Sequence, residues 1–147
     1  MFDTVAKNTL VPLLLRLVLA AIFIYHGLNL ISSETNWGAG WANNMPNRPP
    51  QLESAPAQLA VAWGQLIGGI ALGVGFLTRV AALGIIAIMA GAIYTVHLPH
   101  GFDITKGGYE YNVAIIVMCV VLVLTGGGTL AVDRVFRLRR KPVLPGP

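Results

Sequence analysis

Four long stretches of this chain are almost free of charge, and they leave little choice of solvent. Residues 57–77, 80–96 and 111–125 carry no charged side chain, and residues 9–31 carry only Arg16. About 20 consecutive apolar residues suffice to cross the hydrocarbon of a bilayer. The 147 residues include only ten Lys or Arg and six Asp or Glu, 11% of the chain against 55% hydrophobic, with a mean hydropathy of +0.69. Soluble domains carry roughly 25% charged residues, so this chain cannot build the polar shell that water requires. The reading is an all-α integral membrane protein, a bundle of four transmembrane helices at 9–31, 57–77, 80–96 and 111–125. It forms a single membrane domain over residues 1–141, with a flexible C-terminal tail at 142–147.

Charge sets the expected orientation. An even number of spans puts both termini on one side, together with Lys7, Arg16, Arg79 and the basic run Arg134, Arg137, Arg139, Arg140 and Lys141. The other side keeps Arg48 and Lys106, so the positive-inside rule places both termini in the cytoplasm. Arg16 interrupts the first apolar stretch, and no small-residue cleavage site follows it, so this stretch is read as a span rather than a signal peptide. A basic tail beside apolar helices suits a membrane surface or an acidic partner. Without a folded basic domain, nucleic acid is not an expected partner.

The inner turn between spans two and three is short. Gly75 is expected to end one helix in a left-handed conformation, and the Thr78 hydroxyl to cap the next. The outer loop 32–56, rich in Asn and Pro, resists a long helix. Trp37 and Trp41, four apart, are expected on one face of a short interfacial helix, as a membrane anchor or, alternatively, a lid over an outer pocket. Gly64, Gly68, Gly69 and Gly73 form overlapping GxxxG pairs, and Gly84, Ala87 and Gly91 form a second small face. Such faces allow close helix crossings, within the bundle or in a homodimer. Cys119 is the single cysteine, so the chain has no internal disulfide or dithiol relay.

Polar side chains inside a membrane normally face protein, and here they form two groups. Arg16, Arg79 and Asp133 lie toward the inner end. A structural pairing of Arg16 with Asp133, brought back by the break at Gly126 to Gly128, is the expected role; an anionic headgroup or substrate site is the alternative. His26, Asn29, Tyr94, His97, His100, Glu110 and Tyr111 lie toward the outer end as a candidate binding cluster. Three chemistries are open to it: a hydrogen-bond network tying loop to bundle, a quinone-headgroup site, or a metal site. The last is disfavoured by Pro99 between His97 and His100, and no metal is expected.

The order of several short segments resembles the DoxX family. Arg16-Leu17, Phe23 and Tyr25-His26-Gly27-Leu28 resemble its first span, and Gly75 to Leu83 (GFLTRVAAL) its hairpin turn. His97-Leu98-Pro99-His100-Gly101-Phe102 and Gly107-Gly108-Tyr109-Glu110-Tyr111 resemble its third connection, and Gly126 to Asp133 (GGGTLAVD) its closing segment. Asn29 stands where the family often has lysine. The resemblance implies a four-helix protein of the bacterial inner membrane. Its relatives include a subunit similar to the small membrane component of a thiosulfate:quinone oxidoreductase, and proteins linked to oxidative-stress complexes with soluble redox enzymes. Two functions follow. One is a non-catalytic membrane subunit that anchors or organises redox-associated protein partners. The other is a quinone-linked oxidoreductase component with its site in the outer cluster, quinone then being the cofactor.

Overall fold

The computed structural model describes residues 5–32, 36–43, 45 and 48–134. They form helices joined by turns, with no β-strand among the described residues; the nearest approach to one is an isolated bridge between Asn36 and Ala39. A wide π-helical turn, Ala6–Leu10, leads into α1, Val11–Ser32. The second helix, α2, is Ala55–Val74, and α3 is Thr78–Ala92. A π turn at Ile93–His97 and a 3-10 turn at Leu98–His100 prolong α3, and α4 is Glu110–Thr125.

Residues 8–31, 55–74 and 78–100 each make a helical rod long and apolar enough to cross a membrane, while α4 is apolar but has 16 residues. The helices pack as two antiparallel pairs, α1 with α2 and α3 with α4, joined through α2 and α3. Buried residues recur every three or four positions: Arg16, Leu19 and Phe23 on α1, and Ala62, Gln65, Gly69 and Leu72 on α2. Ala82, Ile85 and Met89 continue the core on α3, and Ile115, Cys119 and Leu122 on α4. That spacing keeps one stripe of each helix facing its neighbours.

The opposite faces are apolar too. Leu14, Leu17, Val18, Ile67, Ile70, Val80, Leu83, Val117 and Leu124 are all exposed. A soluble bundle covers its outer stripe with charge, whereas a helix apolar all round is buried in protein or lipid. The bundle therefore has hydrocarbon for a solvent.

Association in lipid depends on close packing, and the glycines supply it. A methyl on Gly27 would sit 2.6 Å from the Leu66 backbone nitrogen, and one on Gly69 2.8 Å from that of Ile24, so the α1 and α2 backbones nearly touch. Gly64 and Gly68 face the side chains of Ile88 and Ile85 on α3. The GxxxG face of α2 is thus spent inside the bundle. Gly84 and Gly91, by contrast, have open space where a side chain would stand.

The turn between α2 and α3 matches expectation at Gly75, which is left-handed at φ 76° and donates its N–H to Ala71 and Leu72. The cap differs. Thr78 is the first residue of α3, and its hydroxyl is buried without a hydrogen-bond partner among the described residues. The cap comes from Asp133, described below. The loop between α1 and α2 also differs. Residues 36–43 form turns rather than an interfacial helix, with positive φ at Trp37, Gly38 and Gly40. Glycines interrupt the helical spacing between the two tryptophans, which are tied to α2 instead, Trp41 by its indole and Trp37 by its backbone carbonyl. Trp41 Nε1 donates to Gln58 O, and Trp63 Nε1 donates to Trp37 O, both at 3.0 Å.

Gly27 and Gly84 should respond oppositely to alanine. Alanine favours a helix by about 1 kcal/mol over glycine, but at Gly27 the clash is with immovable backbone, and overpacking costs about 1–3 kcal/mol. Gly27→Ala is expected to lower the unfolding midpoint in detergent and Gly84→Ala to leave it unchanged or raise it, read by thermal denaturation.

Candidate functional site

At one end of the bundle a cation is held by backbone. Arg16 lies on the inward stripe of α1 and is 2% exposed. Its Nε donates to Leu72 O at 2.8 Å, Nη1 to Gly127 O at 2.9 Å and Nη2 to Gly73 O at 2.7 Å. The acceptors exist because α2 stops: the last carbonyls of a helix lack intrahelical partners, and they form the negative end of its dipole. Gly75 meets two demands at once. Its backbone is left-handed, and a Cβ there would lie 2.6 Å from Arg16 Cζ.

The closing segment completes this clamp. Beyond α4 the chain turns at Gly126, and Thr129 N–H donates to Asn8 O at 3.0 Å, while the Thr9 and Thr129 hydroxyls lie 2.6 Å apart. The segment thereby returns to the start of α1. Asp133 N–H then donates to Gly75 O at 3.0 Å. Its carboxylate accepts from the Leu77 and Thr78 amides at 2.7 and 2.8 Å. It neutralises orphan donors and the positive dipole end where α3 begins, and its charge acts on Arg16. Arg16 and Asp133 therefore meet at one turn, joined through that turn's backbone. Arg79 stands apart: exposed, it donates to Leu124 O at 3.3 Å, at the end of α4.

The opposite, loop end does not gather its seven candidates into one constellation. His97 Nδ1 lies 2.7 Å from Gly107 O, and His100 Nδ1 3.0 Å from Val96 O. Glu110 Oε2 accepts from Ile104 N–H at 3.3 Å. These three are ties within residues 96–110, the connection and the helical turn that enters it. Phe102 and Tyr109 meet edge to face in the same connection, with ring centroids 5.6 Å apart. Tyr94 is 72% exposed, Tyr111 is also exposed, and both lie on outward faces of their helices. His26 and Asn29 are exposed on α1, His26 against the Tyr25 ring. Among the described residues no three His, Cys, Asp or Glu side chains gather to hold a metal ion.

A residue outside both groups organises the loop end. Gln58 is 2% exposed. Its Oε1 accepts from the Gly40 and Ala42 amides at 2.6 and 3.3 Å, and its Nε2 donates to Leu52 O at 2.8 Å. One carboxamide thus fastens the 36–43 turns and the 50–52 turn to the start of α2. The signal was readable: Gln58 and Gln65 are seven apart, a spacing that puts both on one helix face.

Two substitutions test these ties. Asp133→Ala removes a cap worth about 0.5–2 kcal/mol and should lower the detergent unfolding midpoint, with Asp133→Asn recovering part of the loss. Gln58→Leu leaves buried amides unpaired at about 1–3 kcal/mol. It should speed amide exchange in residues 36–43 while leaving 78–92 protected, as read by exchange mass spectrometry.

Comparison with known proteins agrees with the layout. The DoxX family model matches residues 11–98, which run from the first residue of α1 through the prolonged α3. An uncharacterised protein of Haemophilus influenzae is 31% identical over 126 residues, spanning 85% of this chain and 82% of that relative. No solved structure matches. A family match over residues 11–98, which include Arg16 and the Gly75 turn, together with helices whose outward faces are apolar, establishes a membrane protein that belongs to the DoxX family.

Proposed function

We propose that the protein is a small four-span subunit of the bacterial inner membrane, with both termini in the cytoplasm, that anchors or organises a redox-associated protein complex. The observation that carries this reading is where the polar groups spend their hydrogen bonds. His97, His100 and Glu110 are used in tying one connection, and Arg16 is used in joining α1 to the helix ends. Such ties suit a frame better than a reaction centre. The clamp end carries exposed Arg79 and Arg134. The remaining basic residues of the tail, Arg137, Arg139, Arg140 and Lys141, lie outside the described residues and extend the charge in sequence. A cationic inner end attracts acidic protein surfaces and anionic lipid.

A mild-detergent pull-down from native membranes, with proteins, lipids and cofactors identified by mass spectrometry, tests the reading. The expected result is a co-purifying soluble redox enzyme that is lost on deletion of residues 134–147, while the truncated chain still fractionates with membranes. Stoichiometric quinone without a protein partner would overturn it in favour of a quinone-handling component. A C-terminal reporter active only in the periplasm would overturn the orientation.

A further inference from the structure

Two carboxamides face the bundle interior with their hydrogen bonding unfinished. Gln65 on α2 is 9% exposed and Asn112 on α4 is 5% exposed. Gln65 has no hydrogen-bond partner among the described residues, although its amide atoms still touch space that a water molecule can enter. Asn112 has one weak bond, Nδ2 to Met89 Sδ at 3.5 Å. Its Oδ1 accepts nothing from the described residues.

The two amides lie at one depth. On α2 and α3, Gly68 packs against Ile85 and Gly64 against Ile88. In that antiparallel register Gln65 falls within a turn of Met89, and Met89 touches Asn112. Both residues occupy the inward stripes of their helices, beside Ala62 and Gly69 on α2 and Ile115 on α4. Toward the clamp end the interior is closed by Leu19, Leu72, Ala82 and Leu122, all fully buried.

Lipid cannot satisfy an inward-facing amide, and a polar group left bare in hydrocarbon is costly. A buried water needs room and two or more polar partners. We propose that Gln65 and Asn112 form an internal hydration site beside Met89, in the half of the bundle nearest the loops. The ligand is neutral, because the polar groups that define the site are two carboxamides and a thioether. The amides can both donate and accept, so water fits either orientation, and the apolar layer toward the clamp end closes the site on that side.

X-ray hydroxyl-radical footprinting of the protein in lipid nanodiscs tests this, because radicals form where water sits. Met89 should oxidise despite its burial, at a rate approaching that of Met45 in the outer segment. Met118, on α4 and away from both carboxamides, in sequence register with the buried Leu122 layer, should stay protected. The double variant Gln65→Leu/Asn112→Leu should lose Met89 oxidation several-fold with Met45 unchanged. An unlabelled Met89 beside a labelled Met45 in the unaltered protein overturns the proposal without recourse to any variant. So does Met89 labelling that the folded double variant leaves unchanged.

Discussion

A guanidinium inside an apolar bundle must find oxygen, and the clamp end of this protein is arranged to provide it. Placing arginine at the centre of a membrane helix costs about 2.5–3.5 kcal/mol on insertion scales. Hydrogen bonds to a charged group return about 1.5–3 kcal/mol each, so three together outweigh the cost. Arg16 takes its three from carbonyls that exist only because α2 ends at Gly75 and α4 gives way to a glycine turn. The rest of that end follows. The turn must be glycine, the chain after α4 must come back, and Asp133 then arrives at the amides that open α3.

The two ends of the bundle solve the polar problem differently. The clamp end uses backbone acceptors and one carboxylate, and joins three separated segments. The loop end uses neutral amides: Gln58 gathers the turns above α2, while histidines and Glu110 stitch a single connection. Between them the glycine face of α2 lets α1 approach to backbone contact. This packing is worth having where lipid supplies no hydrophobic drive between helices.

What was readable beforehand divides along physical lines. The apolar helices were legible because hydrocarbon tolerates so few charges, and the Gly75 helix end because left-handed termination has a local signature. Arg16 and Asp133 were legible as a group, since buried charges seek company. The actual wiring was not. Asp133 caps a helix that begins 55 residues earlier, and nothing near Thr78 announces a distant cap, so the adjacent hydroxyl looked sufficient. The four-residue spacing of Trp37 and Trp41 suggested a helix, yet Gly38 and Gly40 adopt positive φ and Gln58 collects their neighbourhood's amides. The histidines of the loop end were visible as polar but not as separately bonded, because sequence order does not tell which carbonyl a ring nitrogen meets.

The position of Asp133 also orders events in time. Chains emerge from the ribosome amino end first, so the α2–α3 hairpin is made long before the carboxylate that seals it. Until residue 133 arrives, the first amides of α3 and the returning glycine strap are both unfastened. Among the described residues the latch is therefore translated after the helices it fastens, and a product terminated before residue 133 would carry those helices without it.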